Sequence, residues 1–355
     1  MRQRVQYIAA LVAGIAATSL TGCTAARLRA LDATPNNAGV EEGWAFCNVR
    51  YLDIYGYPPG ASAPARAEIA VRGYPYALTG AIALQKDDDT TAKHELSLPE
   101  WIVAIPELSV DDPDTGFHAE TFVRYATRTD EAWEITADPA KPLEMIVAFR
   151  GTDGFDDWWK HNLALFREPA QFAPARALVM QAKAMAASRG IQRLVVTGYS
   201  LGGGLSLHVA QHLDTKALVS EAWAFNSSPR VGTVPKPTAA EAQRLWGAAI
   251  YGEILTLIRF GTQSIPDKHW SNDFKHVKSS SIYAHSRWVL ALQMLHDADL
   301  AMFIESGRAA QMTPPLKILS ASHFAACTDA TRAQIASARK KAGLSLTRTE
   351  AGRSP

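Results

Sequence analysis

One serine of the chain lies where a predicted strand gives way to a predicted helix. The segment VVTGYSLGGG spans residues 195–204 and contains Ser200. Residues 193–197 form a short apolar, β-branched run typical of a buried strand, and apolar residues that recur at every fourth position from Leu201 predict a helix over 201–213. A hydroxyl at so sharp a turn is exposed beside a helix N-terminus. The segment therefore predicts a nucleophilic serine.

The glycines around this serine have a steric reason. Gly198 and Gly202 stand two positions before and two positions after Ser200, in the pattern G-x-S-x-G. A side chain at either position would drive the strand and the helix into each other. The apex residue of such a turn is held in a strained backbone conformation. The pattern thus predicts a nucleophile elbow.

A serine that accepts an acyl group needs hydrogen-bond donors for the developing oxyanion. The backbone N–H of Leu201, directly after the serine, is the first expected donor. A second donor should come from a loop that follows an earlier strand. The segment VAFRGTDGFDDWWKHN, residues 147–162, supplies such a loop after a predicted buried strand.

The order of four motifs resembles that of the class 3 lipases. In that family a strand ends in F-R-G-[ST], a D-W…N segment follows, and G-[HY]-S-L-G-G and S-P-R-V-G come later. The matching segments here are Phe149-Arg150-Gly151-Thr152, Asp157-Trp158 with Asn162, Gly198-Tyr199-Ser200-Leu201-Gly202-Gly203 and Ser228-Pro229-Arg230-Val231-Gly232. The resemblance covers about residues 118–300.

The resemblance implies an α/β-hydrolase fold and a catalytic triad of serine, acid and histidine. It also implies that Thr152 contributes its backbone N–H to the oxyanion hole, with its hydroxyl as a further candidate donor. The implied substrate is a lipid or another carboxylic ester, and no cofactor is expected.

Two acids after Ser200 are candidates for the triad. Glu253 follows the apolar run 247–252, and Glu253-Ile254-Leu255 resembles the D-[IV]-V segment of the family, with glutamate in place of aspartate and without the usual proline. Asp267 is the alternative. Both acids satisfy the chain order serine, acid, histidine of α/β-hydrolases, and Glu253 is favoured because it directly follows a predicted strand.

Ten histidines are present, and chain order sets aside His94, His118 and His161, which precede Ser200. His285 stands at the start of an apolar helical segment, beyond Glu253, and His323 is its rival. His208 and His212 are one helical turn apart but lack the glutamate of the H-E-x-x-H zinc motif, so no metal site is expected.

Strands alternate with helices along the rest of the chain, which favours a mostly parallel sheet covered on both faces. The fold class expected is therefore α/β. Strands are predicted over 118–127, 143–151, 217–226 and 277–284, helices over 76–85, 174–190 and from 285, and a loop over 57–67.

Composition excludes some function classes. The 355 residues include 36 Lys and Arg against 35 Asp and Glu, and no basic stripe is present. A nucleic-acid partner is therefore not expected.

The N-terminus carries a predicted secretory signal. Arg2 and Arg4 precede an apolar run, and Leu20-Thr21-Gly22-Cys23 resembles the lipobox of bacterial lipoproteins, which are cut before a lipidated cysteine. The predicted organisation is a signal over 1–22, a tether over 23–45, a single domain over 46–345 and a frayed tail over 346–355. The expected location is the bacterial cell envelope, with a lipid anchor in the membrane.

The sequence leaves open the oxidation state of two further cysteines and the class of substrate. Outside the cytoplasm, Cys47 and Cys327 could form a disulfide or remain two thiols. A lipase or phospholipase is the leading functional hypothesis. The alternatives are a short-chain carboxylesterase and a non-catalytic envelope lipoprotein that keeps a hydrolase scaffold.

We predict that Cys23 is the first residue of the mature protein and carries lipid, because the lipobox-like residues end the apolar run. Mass spectrometry of the N-terminal peptide from membranes should show an acylated Cys23, and Cys23→Ser should release the protein from them. An unmodified N-terminus downstream of Cys23 would contradict the prediction.

Overall fold

A mixed, mostly parallel sheet flanked by helices forms the centre of this α/β protein. The computed structural model describes residues 63–84, 96–129, 135–151, 170–250, 252–259, 264–272, 274 and 283–305. The eight strands in these ranges are β1 (Ile102–Ala104), β2 (Val110–Asp112), β3 (Phe117–Thr129), β4 (Ile135–Phe149), β5 (Arg193–Tyr199), β6 (Glu221–Phe225), β7 (Leu245–Ala248) and β8 (Trp270–Ser271).

The helices in the same ranges lie on both faces of the sheet. They are α1 (Ala63–Ile82), α2 (Phe172–Ser188), α3 (Leu201–Gln211), α4 (Ala239–Ala242), α5 (Thr256–Arg259) and α6 (Arg287–Glu305). Short 3₁₀ turns cover Pro106–Leu108, Asp267–His269 and Tyr283–His285. No helix within the described ranges is both long and apolar enough to cross a bilayer.

The sheet changes from antiparallel to parallel at β4. Its strand order is β1-β3-β4-β5-β6-β7-β8, and β2 pairs with β3 beside β1. Strands β1 to β4 pair antiparallel, whereas β4 through β8 are all parallel neighbours. The carboxyl ends of the parallel strands therefore lie along one edge of the sheet, where open α/β sheets usually bind their ligands.

The two faces of the sheet bury different residues of the same strand. Along β4, Ile146 and Ala148 pack with α1 and α6, while Val147 and Phe149 pack with α2 and α3. The alternation follows from the two-residue period of a strand. Because both faces are covered, the parallel strands are nearly continuous apolar runs.

The structure corrects two predictions of secondary structure. The predicted loop 57–67 is wrong from residue 63 onward, because α1 begins at Ala63. The helix that the sequence predicts from residue 76 therefore starts well before that position. Pro64 made this segment resemble a loop, but proline is tolerated in the first turn of a helix. The strand predicted over 277–284 is also wrong at its end, because a 3₁₀ turn begins at Tyr283. Residues 277–282 lie outside the described residues.

Buried charges join three strands at the amino edge of the parallel strands. Glu144 of β4 is fully buried and accepts hydrogen bonds from Tyr76 Oη (2.7 Å), Arg124 Nε (2.6 Å) and Arg193 Nε (3.2 Å). Arg193 of β5 also donates to Glu221 of β6 at 3.2 Å. Because a buried carboxylate is costly unless it is paired, these contacts favour one alignment of the three strands.

We predict that Glu144→Gln lowers the free energy of unfolding by about 2 kcal/mol, because it removes the buried anion that Arg124 and the half-exposed Arg193 share and leaves a buried amide donor beside them. Urea denaturation of the purified protein measures the change. The matched control is Glu107→Gln, an exposed carboxylate on a 3₁₀ turn, which should change the value by less than about 0.5 kcal/mol. Equal effects of the two substitutions would contradict the prediction.

Candidate active site

The strand, the serine and the helix occupy the positions that the sequence predicts. Strand β5 ends at Tyr199 and α3 begins at Leu201, so Ser200 alone forms the turn between them. Ser200 has φ 53° and ψ −121°, in a region that residues other than glycine rarely adopt. Its N–H donates to Phe225 O at 3.0 Å, and its carbonyl accepts from Ser228 N–H at 2.8 Å. The last residue of β6 and the loop after it thus hold the strained serine through both of its backbone polar groups.

Both glycines of the elbow are required by close backbone contacts. A Cβ at Gly202 would lie 2.1 Å from Phe149 O, and a Cβ at Gly198 would lie 2.4 Å from the carbonyl carbon of Gly202. Each clash is with main chain, which cannot move aside as a flexible side chain can. The absence of two side chains therefore lets α3 start against the end of β4.

The expected oxyanion loop begins against the elbow. A Cβ at Gly151, just beyond β4, would lie 3.3 Å from Ser200 Cβ and 3.7 Å from Leu201 N. Leu201 N is the first donor expected from the sequence. Thr152, the second, lies outside the described residues, as do residues 153–169.

The structure brings Glu253 and His285 together. Glu253 follows β7 and its side chain is fully buried, while the His285 side chain is 19% exposed. Nδ1 of His285 lies 2.6 Å from Glu253 Oε2. A carboxylate can only accept, so Nδ1 carries the proton and Nε2 of a neutral imidazole is left as the basic nitrogen.

Glu253 remains ionised despite its burial. Burial by itself raises the pKa of this carboxyl, but the hydrogen bond and charge of His285, the Arg259 guanidinium and the Leu255 N–H (2.9 Å) outweigh it and hold the pKa below its usual value. Arg259 Nη2 donates to Oε1, the oxygen that does not face His285. The carboxylate therefore carries the negative charge that an imidazolium at His285 requires.

One asparagine connects the serine side of the site to the histidine side. Asn226, with φ 40°, follows Phe225, the residue whose carbonyl holds Ser200. Its side chain accepts from Ile250 N–H at 3.0 Å and donates to Ala284 O at 3.2 Å. The ends of β6 and β7 and the turn that carries His285 are thus joined by a single buried amide.

The other candidates from the sequence have different surroundings or fall outside the described residues. Asp267 is exposed on a 3₁₀ turn, and His323 lies outside the described residues, as do Cys23, Cys47 and Cys327. Both ring nitrogens of His208 have hydrogen-bond partners. Nδ1 lies 2.9 Å from Val231 O, and Nε2 lies 2.8 Å from Arg176 Nη1. Across the described part of the chain, no three His, Cys, Asp or Glu side chains group as metal ligands would.

Two positions in this site were not singled out from the sequence. Asn226 gives a weak signal, since asparagine tolerates positive φ and here ends a predicted strand. Arg259 gives none beyond being a single positive charge within the mostly apolar stretch EILTLIRF. Its contacts to Glu253 and to Ser227 O (2.7 Å) depend on how two loops meet.

We predict that Gly202→Ala lowers the free energy of unfolding by at least about 4 kcal/mol, although alanine is the better helix former, because its Cβ would overlap the Phe149 carbonyl. The control is Gly190→Ala, where φ is +72° but the space is open. That change should cost only about 1–2 kcal/mol. Urea denaturation compares them, and a Gly202→Ala variant no less stable than Gly190→Ala would contradict the prediction.

Comparison with known proteins gives one family. The family described as Phospholipase-like, Tle-like phospholipase domain, matches residues 93–279, a segment that contains all eight described strands, Ser200 and Glu253 and ends shortly before His285. No curated protein matches the chain. The match supports a hydrolase of lipid esters, of the lipase or phospholipase type. Because it covers more than half of the 355 residues, the chain belongs to the family of Tle-like phospholipase domains.

Proposed function

We propose that this protein hydrolyses carboxylic ester bonds of phospholipids through an acyl-enzyme on Ser200. The family supports the lipid-ester substrate. The observation that carries the mechanism is the hydrogen bond between the buried Glu253 and the partly exposed His285, at the same edge of the sheet as the strained Ser200. Serine is a weak nucleophile at neutral pH unless a base removes its proton, and the base needs an orienting carboxylate.

In the first half of the reaction, Ser200 Oγ attacks the ester carbonyl carbon while His285 Nε2 accepts the hydroxyl proton. The carbonyl oxygen becomes an oxyanion, which accepts a hydrogen bond from Leu201 N–H and from Thr152 as the second donor. Collapse of the tetrahedral intermediate breaks the ester bond to the alcohol. His285 returns the proton to the departing lysolipid oxygen.

Water completes the cycle. His285 takes one proton from the water as its oxygen attacks the acyl carbon, and it returns that proton to Ser200 Oγ when the second tetrahedral intermediate collapses. The fatty acid leaves and the serine is restored. Glu253 stays ionised throughout, since its part is to hold Nδ1 and to stabilise the imidazolium.

We also propose that the fold is that of an α/β-hydrolase of the class 3 lipase type. The parallel order β4 to β8, the elbow after β5 and the chain order Ser200, Glu253, His285 support this proposal. The lipobox-like Cys23 supports an anchor that holds the domain at the surface of the bacterial envelope, close to its substrate. Stable anchoring requires more than one acyl chain.

We predict that Ser200→Ala and His285→Ala each lower kcat by about 10⁵-fold or more, because the members of a triad act as a unit. Glu253→Ala should lose about one to two orders of magnitude less, since the acid transfers no proton. The measurements are release of fatty acid from phosphatidylcholine vesicles and hydrolysis of nitrophenyl esters of graded chain length. A serine-directed phosphonate should label Ser200 alone.

Matched controls are Ser188→Ala, an exposed serine at the end of α2, and His212→Ala, which follows α3, about 18 Å along the helix from Ser200. Both should retain wild-type turnover. Full activity in Ser200→Ala would refute the proposed nucleophile. No turnover of any ester would favour a non-catalytic lipoprotein, and turnover of short esters alone would favour a carboxylesterase.

A further inference from the structure

Arg259 lies beneath the proposed triad and contacts two loops of the site. The residue is 6% exposed and ends the short helix α5. Its Nε donates to Ser227 O at 2.7 Å, in the loop after β6, and its Nη2 donates to Glu253 Oε1, after β7. The guanidinium also lies 5.7 Å above the centre of the Trp270 ring. A planar, permanently charged group thus fixes both loops in one geometry.

The two oxygens of Glu253 have different partners. Oε2 faces His285 Nδ1 (2.6 Å) and accepts from Leu255 N–H (2.9 Å), whereas Oε1 faces Arg259 and Thr256 Oγ1 (3.4 Å). One carboxylate is therefore shared between a permanent cation and an imidazole that becomes a cation only during turnover. Like charges on either side of one anion compete for it.

This competition has a consequence for catalysis. A carboxylate that neutralises Arg259 has less charge left to stabilise a protonated His285 in the resting enzyme. Removal of the Arg259 charge would leave more of the carboxylate's field to the imidazole and so favour its protonated form, which cannot accept the serine proton. Burial strengthens the effect, because the Glu253 side chain is fully buried and that of Arg259 is 5% exposed.

We propose that Arg259 is a positioning residue that orients Glu253 and extends the active pH range of His285 toward acid. The inference rests on the proposed function, since it requires His285 to act as the base. Arg259 touches neither the serine nor the substrate in this assignment, and its effect passes through Glu253.

Few other charged groups of the described residues face this pair. Arg287 of α6 lies two residues beyond His285, and the buried Tyr199 of β5 lies within the field of Arg287. Burial raises the pKa of Tyr199 well above its usual value, with Arg287 opposing the rise, so the phenol stays neutral in the range where histidine titrates. Arg287 is therefore a second cation in the helix that follows His285, and it stays unchanged in every variant of the test below.

The test compares variants that separate the charge of Arg259 from its shape. Arg259→Gln removes the charge. Arg259→Lys keeps the charge but cannot donate to both Ser227 and Glu253 as the guanidinium does. Arg259→citrulline keeps the shape and two donor nitrogens without the charge. The pH profiles of kcat/KM are measured with a short nitrophenyl ester. Arg189→Gln, at an exposed position after α2, controls for the loss of one positive charge.

We expect the acidic limb of the profile to move up by about one pH unit in Arg259→Gln and Arg259→citrulline. The sign follows because loss of a positive charge favours the protonated imidazole, which cannot act as a base. Arg259→Lys and Arg189→Gln should leave the limb within about 0.3 pH unit of wild type. KM should stay within about twofold of the wild-type value in all variants, since no substrate contact is removed. Any decrease in kcat/KM should therefore come from kcat.

The outcomes distinguish this inference from the proposed function. If the wild-type enzyme is inactive, or Ser200→Ala retains activity, the proposed function fails. If the wild-type enzyme is active and the acidic limbs of all variants coincide, or Arg259→Lys moves as far as Arg259→citrulline, Arg259 acts only on structure and the inference is overturned. Should Arg259→Gln fail to fold, the isosteric citrulline variant decides alone.

Discussion

The site depends on one close approach, where the first turn of α3 lies against the end of β4. Gly202 and Gly198 leave no room for a Cβ against the carbonyls of Phe149 and Gly202. Only this contact lets a strand turn into a helix across a single residue, and it forces Ser200 to φ 53°. The same contact brings Gly151, at the start of the expected oxyanion loop, next to Leu201 N. Nucleophile and expected oxyanion donor are therefore positioned by a single steric constraint.

The second half of the site is held by charge rather than by steric exclusion. Glu253 is buried, and a buried carboxylate is stable as an anion only when its oxygens are satisfied. Arg259 and His285 satisfy it from opposite sides, and Asn226 ties the histidine turn to the end of β6. Such a pair adds little net stability compared with apolar residues of the same volume. The contacts of Glu253 instead restrict the three loops of the site to one relative arrangement.

Local patterns in the sequence predicted the elements that depend on neighbouring residues. The strand before Ser200 and the helix after it follow from apolar periodicity and from glycine spacing, and both are found. The start of α1 was missed because Pro64 suggests a loop unless the helix is known to begin beside it. Arg259 could not be found, since its partner Ser227 is 32 positions away and only tertiary structure joins them.

The two edges of the parallel sheet are chemically different, and the amino edge helps to place the site at the carboxyl edge. Glu144, Arg193 and Glu221 link β4, β5 and β6 through ion pairs of two buried carboxylates with the half-exposed arginine, where the parallel pairing of these strands begins. A slip of one strand by one residue would exchange its two faces and move its carboxyl end by about 3.3 Å. That displacement is large compared with the few tenths of an ångström that catalytic geometry tolerates. The ion pairs oppose such a slip, because a shifted strand would leave a carboxylate buried without its arginine.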